Sequence, residues 1–424
     1  MSKVLKRRWQ STLGGSGLPR KDTRSCDYET YIPDPLIGRK ITLEGSVAAD
    51  VADAEAAIAR LNAEATALVD TEALARILLR AEAVASSRIE GLVIGARRLL
   101  HAEVVRGLSE TPSDITAHEV LNNIDAMVFA IDQVKRGAPI TSDLLLAVHG
   151  RLLTGTRLQG LGGSFRGEQN WIGGSDYNPC AAAFVPPPHD YVPDLINDLC
   201  NFCNDDALPA VAQAAIAHAQ FETIHPYVDG NGRTGRALIH MVLRQRGLAD
   251  RVLPPVSLVL ATLARSYIDG LTMYRYVGSP TAPKAIEGLN IWVSRFAGAC
   301  SRSVQDAMSF ESRVVTLERS WRDRLGRVRA NSATDRILRM LPGAPILTAD
   351  IAASLLNTSF NPANQAIRRL VEAGVLKQVN IGRRNRAYEV PEIIAAFTAL
   401  ERQLASPEAD TKTSKPTRNV PARS

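Results

Sequence analysis

A twelve-residue segment between two helical patterns restricts what this chain can fold into more than any other feature. The pattern AVAQAAIAHAQFETI, residues 210–224, runs directly into HPYVDGNGRTGR, residues 225–236, and a second helical pattern, TGRALIHMVLRQRG, begins inside that segment. The order is helix, glycine-containing loop and first turn of a helix. It leaves the backbone N–H groups of Gly230, Asn231 and Gly232 pointing into one cavity, which is suited to bind phosphate.

The side chains of this segment indicate phosphate chemistry. Arg233 and Arg236 are three residues apart, so both guanidinium groups emerge on one helix face and can hold phosphate oxygens. Asp229 precedes the loop, where one carboxylate beside bound phosphates suits Mg²⁺, although it could instead cap the following helix. His225 can accept a proton near neutral pH. Together these groups favour nucleotidyl or phosphoryl transfer.

Composition predicts a mainly α fold. The chain has 424 residues, enough for two or three domains, with 45% hydrophobic and only 5% aromatic residues; this favours helix packing. No apolar run approaches eighteen residues, and the basic start lacks an apolar core, so neither a membrane span nor a secretion signal is expected and the protein is predicted to be cytoplasmic. The odd set of five cysteines is typical of reduced thiols, and Cys200 and Cys203 are expected to be buried core thiols rather than metal ligands.

The segment resembles the signature of the Fic family, HPFx(D/E)GNGRxxR, with Tyr227 where Phe is usual. The resemblance implies AMPylation, in which ATP donates AMP to a Ser, Thr or Tyr hydroxyl of a protein, with possible self-modification. It implies that His225 is the base and Asp229 the Mg²⁺ ligand. The residues implied to bind ATP are Gly230, Asn231, Gly232, Arg233, Thr234, Gly235, Arg236 on the γ-phosphate, and Tyr267 as an adenine contact.

Two further segments match the same family. Gly163, Phe165 and Arg166, with QNWIGG, resemble its flap, a β-hairpin that aligns the target; the flap residues are Gln169, Asn170, Trp171 and Ile172. For Arg166, a structural role and a nucleotide or target role remain open. SSRIEG matches the family's inhibitory motif through Ser86, Glu90 and Gly91, which implies that Glu90 pairs with Arg236 and blocks the γ-phosphate. The alternative is that Glu90 is a solvated residue at a helix end.

The C-terminal part predicts a different module. After about Ala330 the pattern gives three short helices and two β-prone pieces, VLKQV and AYEV, which together indicate a winged helix-turn-helix. Such modules bind DNA, other proteins or a second copy of the chain. The candidate DNA contacts are Gln365, Arg368, Arg369, Arg383 and Arg384.

The patterns divide the chain into six predicted segments. These are a flexible basic arm (1–24), a Fic N-terminal region with the inhibitory helix (25–105), a catalytic domain (106–300), a helical connector (301–330), the winged helix-turn-helix (331–400) and a disordered tail (401–424). The function predicted is an adenylyltransferase autoinhibited by Glu90. Two alternatives remain: a DNA-binding regulator that senses ATP, and removal of AMP from a modified protein by Glu90. A homodimer is possible.

Overall fold

The chain forms two compact, mostly helical units in a computed structural model, which describes residues 1–12, 17–64, 71–108, 112–381 and 385–403. The first unit comprises Met1–Ala65, Leu121–Leu253 and Arg265–Ser301, and the second comprises Thr66–Val120, Pro254–Ala264 and Arg302–Ser424. The mainly α fold expected from composition is confirmed. Within the described ranges, no helix is long and apolar enough to cross a membrane.

The elements from the N-terminus to the longest helix are β1 Lys3–Trp9, α1 Arg20–Thr23, β2 Cys26–Ile32, α2 Gly45–Glu64, α3 Thr71–Ile89, α4 Ala96–Gly107, α5 Ile115–Gln133, α6 Ser142–Leu152, α7 Val192–Cys203, α8 Ala210–Ile224, α9 Asn231–Gln245, α10 Val256–Thr262, α11 Ala264–Tyr274 and α12 Pro283–Leu325. Helix α6 begins after Thr141, whose side chain accepts a hydrogen bond from the Leu144 N–H at 3.2 Å, the usual capping role of threonine.

Helix α8 is the centre of the first unit. Every one of its residues is buried, including the polar side chains of Gln213, His218, Gln220 and Glu222. Helix α9 packs closely against it at Gly235, where an added Cβ would lie 2.8 Å from both Phe221 Cδ1 and Glu222 Oε1. Trp292 on α12 donates a hydrogen bond from its indole to the Ala215 carbonyl at 2.7 Å. The loop between α8 and α9 therefore starts from a rigid base.

The N-terminal residues differ from the predicted flexible arm. Strand β1 pairs antiparallel with β2, with Lys3 opposite Ile32 and Trp9 opposite Cys26, and the short helix α1 lies between them. The sequence pattern missed this hairpin because its two strands are separated by sixteen residues without a recognisable turn. The contacts that order it come from distant residues, within 171–185 and at Tyr276 and Gly278.

The second unit contains the helix that carries the predicted inhibitory motif. Helix α3 ends at Ile89 and is followed by Gly91 at φ 82°, the left-handed conformation predicted for a glycine at a helix stop. The buried Glu82 carboxylate accepts hydrogen bonds from the N–H of Ser257 at 2.7 Å and from its hydroxyl. These contacts join α3 to α10.

The C-terminal elements are α13 Ala333–Met340, β3 Ile346–Leu347, α14 Ala349–Leu355, α15 Phe360–Glu372, β4 Lys377–Ile381, β5 Asn385–Glu389 and α16 Pro391–Gln403. The three helices and two strands that the sequence predicted are present. Strand β3 and helix α16 were not predicted, and the antiparallel sheet has the order β3-β5-β4. Residues 404–424 of the predicted disordered tail lie outside the described residues.

The cysteines correct one prediction. Cys26 on β2 and Cys180 form a disulfide, whereas the sequence favoured reduced thiols throughout. The two residues are 154 positions apart, so only the tertiary fold brings them together. Cys200, Cys203 and Cys300 are free and buried, which confirms the interpretation of the C-x-x-C pair as core thiols. Burial raises the pKa of Cys200 to about 12.

Candidate active site

His225 ends helix α8 in a conformation that few side chains adopt. Its backbone has φ 50° and ψ 63°, the left-handed region, which costs about 1–3 kcal/mol outside glycine. Its N–H donates to the Phe221 carbonyl at 2.8 Å. Its own carbonyl accepts from Arg166 Nε at 2.9 Å and from Asn170 Nδ2 at 3.3 Å. The residues predicted to form the flap therefore help to hold the predicted base in place.

Arg166 is a structural support for this loop. Its guanidinium also donates to the carbonyls of Glu168 and Pro187, and its backbone N–H donates to the Pro226 carbonyl at 2.9 Å. The side chain is only 3% exposed, and burial lowers its pKa to about 10, so it stays charged at neutral pH. Of the two roles left open by the sequence, the contacts favour the structural one. Arg166 fulfils it by hydrogen bonds to backbone carbonyls rather than by an ion pair with a carboxylate.

His149 connects the loop to the base of the flap. Its Nδ1 accepts a hydrogen bond from the Gly163 N–H at 3.2 Å, and its Nε2 lies 3.0 Å from the Asp229 carbonyl. Because Nδ1 is an acceptor here, the hydrogen resides on Nε2 and is donated to Asp229. Burial lowers the pKa of His149 to about 4, so the ring is neutral near pH 7. The ring stacks on Tyr227 with centroids 3.8 Å apart.

Two residues of the segment shape the loop from within. Asn231 accepts a hydrogen bond from the Tyr227 N–H at 2.8 Å and returns one from Nδ2 to the Tyr227 carbonyl at 2.9 Å. Gly230 has φ 79°, and a Cβ there would lie 2.7 Å from Leu152 Cδ2. Only glycine satisfies both conditions, since the backbone is left-handed and lies against a neighbouring side chain.

The start of α9 offers backbone donors. Its first backbone hydrogen bond runs from the Thr234 N–H to the Gly230 carbonyl at 3.0 Å. The N–H groups of Asn231, Gly232 and Arg233 precede that bond and have no intrahelical acceptor. Together with the positive end of the helix dipole, they are suited to hold an anion; the sequence predicted Gly230, Asn231 and Gly232 for this role.

Charged side chains surround this helix start. Arg233 Nη2 lies 3.1 Å from Asp229 Oδ2, and the Asp229 side chain is 49% exposed. Arg236 is almost fully buried, with 1% exposure. Glu222 Oε2 lies 3.8 Å from His225 Nδ1, a neighbour that sequence reasoning missed, although its three-residue spacing on the helix could have indicated it. No group of three or more His, Cys, Asp or Glu in the described ranges could hold a metal ion.

Asp229 is nevertheless suited to a single-carboxylate Mg²⁺ site. Its carboxylate is half exposed and lies one residue before the N-cap of α9, and one of its oxygens pairs with Arg233. Mg²⁺ in nucleotide sites takes one or two carboxylates and completes its coordination with phosphates and water. The donor set present therefore fits Mg²⁺ brought with a nucleotide.

Tyr267 lies away from the loop surface. It is 6% exposed, and its hydroxyl lies 2.8 Å from His218 Nε2. His218 Nδ1 in turn lies 3.0 Å from the Gly235 carbonyl, and burial, with a smaller contribution from the Arg236 charge, lowers the pKa of His218 to about 3. This placement packs Tyr267 beneath α9, and its contact with adenine stays a prediction.

The flap is a short hairpin closed by backbone hydrogen bonds. The Ile172 N–H donates to the Phe184 carbonyl and the Ala183 N–H donates to the Ile172 carbonyl, both at 2.8 Å. Trp171 donates from Nε1 to the Ser175 carbonyl at 2.6 Å, and Gln169 Nε2 donates to the Pro186 carbonyl at 2.9 Å. The predicted flap residues thus lie in one ordered hairpin.

The predicted inhibitory residues belong to the second unit. Ser86 is buried in α3, and Glu90 and Gly91 follow the end of that helix on the surface. Of the DNA-contact candidates, Gln365 and Arg368 are exposed on α15, whereas Arg369 donates to the carbonyls of Leu325 and Arg327 at 3.3 and 2.7 Å. Arg383 and Arg384 lie outside the described residues.

Comparisons with known proteins identify the fold around the site. Residues 139–243 match the Fic/DOC family model, and residues 48–132 match the model of the Fic/DOC family N-terminal region. Over 192 residues the chain is 28% identical to the protein adenylyltransferase fic-1 of Caenorhabditis briggsae, covering 43% of this chain and 33% of that protein. Over 77 residues it is 43% identical to a probable protein adenylyltransferase of Aquifex aeolicus, covering 18% of this chain and 24% of that protein.

A solved structure resembles most of the chain. A Fic family protein from Desulfovibrio desulfuricans aligns with a TM-score of 0.51 and 21% identity, over 85% of this chain and 98% of that one. At this identity the likeness concerns the fold alone. The chain spans about a third or less of the length of the two curated relatives above.

Proposed function

Because residues 139–243 carry a Fic/DOC family domain and residues 48–132 carry its N-terminal region, we propose that this chain is a protein adenylyltransferase that moves AMP from ATP to a Ser, Thr or Tyr hydroxyl of a protein. The observation that carries the proposal is the placement of His225. It is fixed by Arg166 and Asn170 at the end of α8, one short loop before the free amides that begin α9.

The chemistry follows from the neighbours of the imidazole. His225 Nδ1 faces Glu222, 3.8 Å away, so Nε2 takes the proton of the attacking hydroxyl, and the Glu222 carboxylate stabilises the imidazolium. The hydroxyl oxygen forms a bond to the α-phosphorus of ATP as the bond from that phosphorus to the β-phosphate bridge oxygen breaks. Pyrophosphate is the leaving group. The amides at the start of α9, with Arg233 and Arg236, hold its charge.

The site would also hold a Mg²⁺ ion. Asp229 would hold it through one carboxylate oxygen, and the ion would neutralise phosphate charge. The ion pair between Asp229 and Arg233 keeps both side chains at the helix start.

An isotope experiment distinguishes this reaction from phosphoryl transfer. Purified chain is incubated with Mg²⁺ and ATP labelled at either the α- or the γ-phosphorus. The proposal expects protein-bound label from the α-position only, together with a hydroxyl residue modified by AMP in peptide mass spectra. His225→Ala should abolish transfer and still bind ATP by calorimetry. Protein-bound γ-label, or undiminished transfer by His225→Ala, would contradict the proposal.

We further propose that Glu90 restrains this activity by pairing with Arg236. The support is the position of Glu90 after the α3 helix end, within the match to the inhibitory motif. A carboxylate that occupies Arg236 removes a cation from the γ-phosphate. Glu90→Gly should then raise α-label incorporation, whereas Glu90→Asp should stay low. If instead Glu90 positions water, the parent chain will release AMP from a modified protein and Glu90→Gly will not.

A second function rests on the C-terminal elements. We infer that residues 333–389 form a winged helix-turn-helix. The element order is α13-β3-α14-α15-β4-β5, in which three helices are followed by a β-hairpin that would be the wing. Residues 327–403 contain eleven Lys and Arg against six Asp and Glu, a basic surplus suited to duplex DNA.

DNA binding is tested by gel shift with salt titration. Phosphate contacts release counterions, so affinity must fall as salt rises. Arg368→Ala, an exposed change on α15, should weaken binding. Arg76→Ala, exposed on α3 and paired with Glu72, is the matched control. Binding that is insensitive to salt and to Arg368→Ala would exclude this surface.

A further inference from the structure

We propose that Cys26 and Cys180 form a site of reversible thiol–disulfide exchange that controls how firmly the flap is held. The activity measurement below rests on the proposed function. The thiol-counting and hydrogen-exchange measurements do not. The disulfide joins β2 to the 3₁₀ turn Pro179–Ala181, immediately before the returning strand of the flap.

The N-terminal hairpin already contacts the flap along its length. Trp9 packs edge-on against Trp171 with ring centroids 5.4 Å apart. The buried Asn178 side chain donates to the carbonyls of Lys21 and Asp22 at 3.0 and 2.9 Å. The Tyr31 N–H donates to the Val185 carbonyl at 3.0 Å. The disulfide is thus one covalent tie among several weaker ones, so that breaking it should loosen the flap without unfolding it.

The flap itself has little support of its own. Its two sides meet only at two isolated bridges in the described residues, Ile172 with Phe184 and Ser175 with Asn178, and a two-stranded hairpin is marginal in water. Asn170 at its start holds the carbonyls of His225 and Tyr227. Motion of the flap therefore reaches both the target-aligning strand and the loop that carries the base.

The chemistry of this pair differs from that of the other cysteines. Cys26 and Cys180 are partly exposed, so a thiolate can reach them. Cys200 and Cys203 are buried, and burial raises the pKa of both, which keeps them as unreactive thiols. An external dithiol is the reductant proposed. One of its thiolates attacks a sulfur of the disulfide and its second thiol resolves the mixed disulfide, giving two cysteine thiols and the oxidised dithiol.

Thiol counting tests the site directly. Without reductant, the unfolded chain should expose three reactive thiols, from Cys200, Cys203 and Cys300, and a peptide pair linking Cys26 to Cys180 should appear in mass spectra. After dithiothreitol and unfolding, all five cysteines should react. Five reactive thiols without reductant would overturn the proposal.

Hydrogen exchange tests the effect on the flap. After reduction of the folded protein, the amides of Ile172 and Ala183 should exchange about tenfold faster or more, because local opening is no longer limited by the cross-link. The amides of α8 should not change. The double variant Cys26→Ser/Cys180→Ser should exchange at the reduced rate with or without dithiothreitol. Equal exchange of these amides in both redox states would overturn the proposal.

Activity measures the consequence. Reduction should lower the rate of α-label transfer to a protein acceptor several-fold in Glu90→Gly. The same treatment should not change the rate of transfer by the double cysteine variant. The control Cys300→Ala keeps the disulfide and should respond like its parent. A redox response that survives in the double variant would overturn the assignment. If no label is transferred in any state while the exchange rates differ, the proposed function fails and the exchange site stands.

Discussion

Replacing Tyr227 with phenylalanine should stabilise the protein, although the residue is at the centre of the candidate active site. Tyr227 is fully buried and its hydroxyl has no hydrogen-bond partner in the described part of the chain. A buried hydroxyl without a partner costs about 1–3 kcal/mol, so its removal should stabilise the fold. The small void that it leaves offsets part of this stabilisation. We therefore expect Tyr227→Phe to raise the free energy of unfolding by about 1 kcal/mol.

Scanning calorimetry provides the measurement, and a second tyrosine provides the control. Stabilisation by about 1 kcal/mol should raise the melting temperature by roughly 2–4 °C. Tyr274 is equally buried, but its hydroxyl donates to Gln220 Oε1 at 3.1 Å, so Tyr274→Phe should lower stability by about 1–2 kcal/mol. AMP transfer by Tyr227→Phe should persist, since the ring still stacks on His149. A loss of stability in Tyr227→Phe as large as that in Tyr274→Phe would refute the reasoning.

Three further predictions concern the same loop. Arg166→Lys should reduce AMP transfer at least tenfold while ATP still binds, because one ammonium group cannot reproduce the several carbonyl contacts of the guanidinium. Transfer at the parent rate would show that these carbonyl contacts are dispensable. Gly230→Ala should lower the free energy of unfolding by about 2 kcal/mol or more, because the added methyl group clashes with Leu152. The control Gly137→Ala, at a similar φ of 76° in open space, should lower it by only about 1 kcal/mol. Equal losses in the two variants would contradict the clash with Leu152. The free energy of unfolding should fall as pH falls from about 6.5 to about 4. In this range His149 is neutral in the folded protein but binds a proton in the unfolded chain, which lowers the free energy of unfolding by about 3 kcal/mol. Urea titrations should show a shallower pH slope for His149→Gln than for the exposed His189→Gln, and identical slopes would contradict the assignment.

Much of the site could be predicted from the sequence because its parts are local. The helix stop at His225, the glycines and the first turn of α9 lie within twelve residues, so backbone requirements and side-chain chemistry are visible together. The role of Arg166 was left undecided, because its partners Pro187, Ile224 and His225 are 21 to 59 positions away. Glu222 was missed although its three-residue spacing from His225 on a helix could have indicated it, because it lies outside the twelve-residue segment.

The sequence by itself determined the helical class, the position of the helix start at Asn231, and three helices and two strands of the C-terminal module, all of which depend on periodicity or on short-range backbone geometry. Only the tertiary structure decided that Lys3–Trp9 and Cys26–Ile32 pair as strands against the flap, that Cys26 bonds to Cys180, and that His149 links Gly163 to Asp229. Those contacts join segments far apart in the chain, and no local pattern encodes which distant groups will meet once the core has packed.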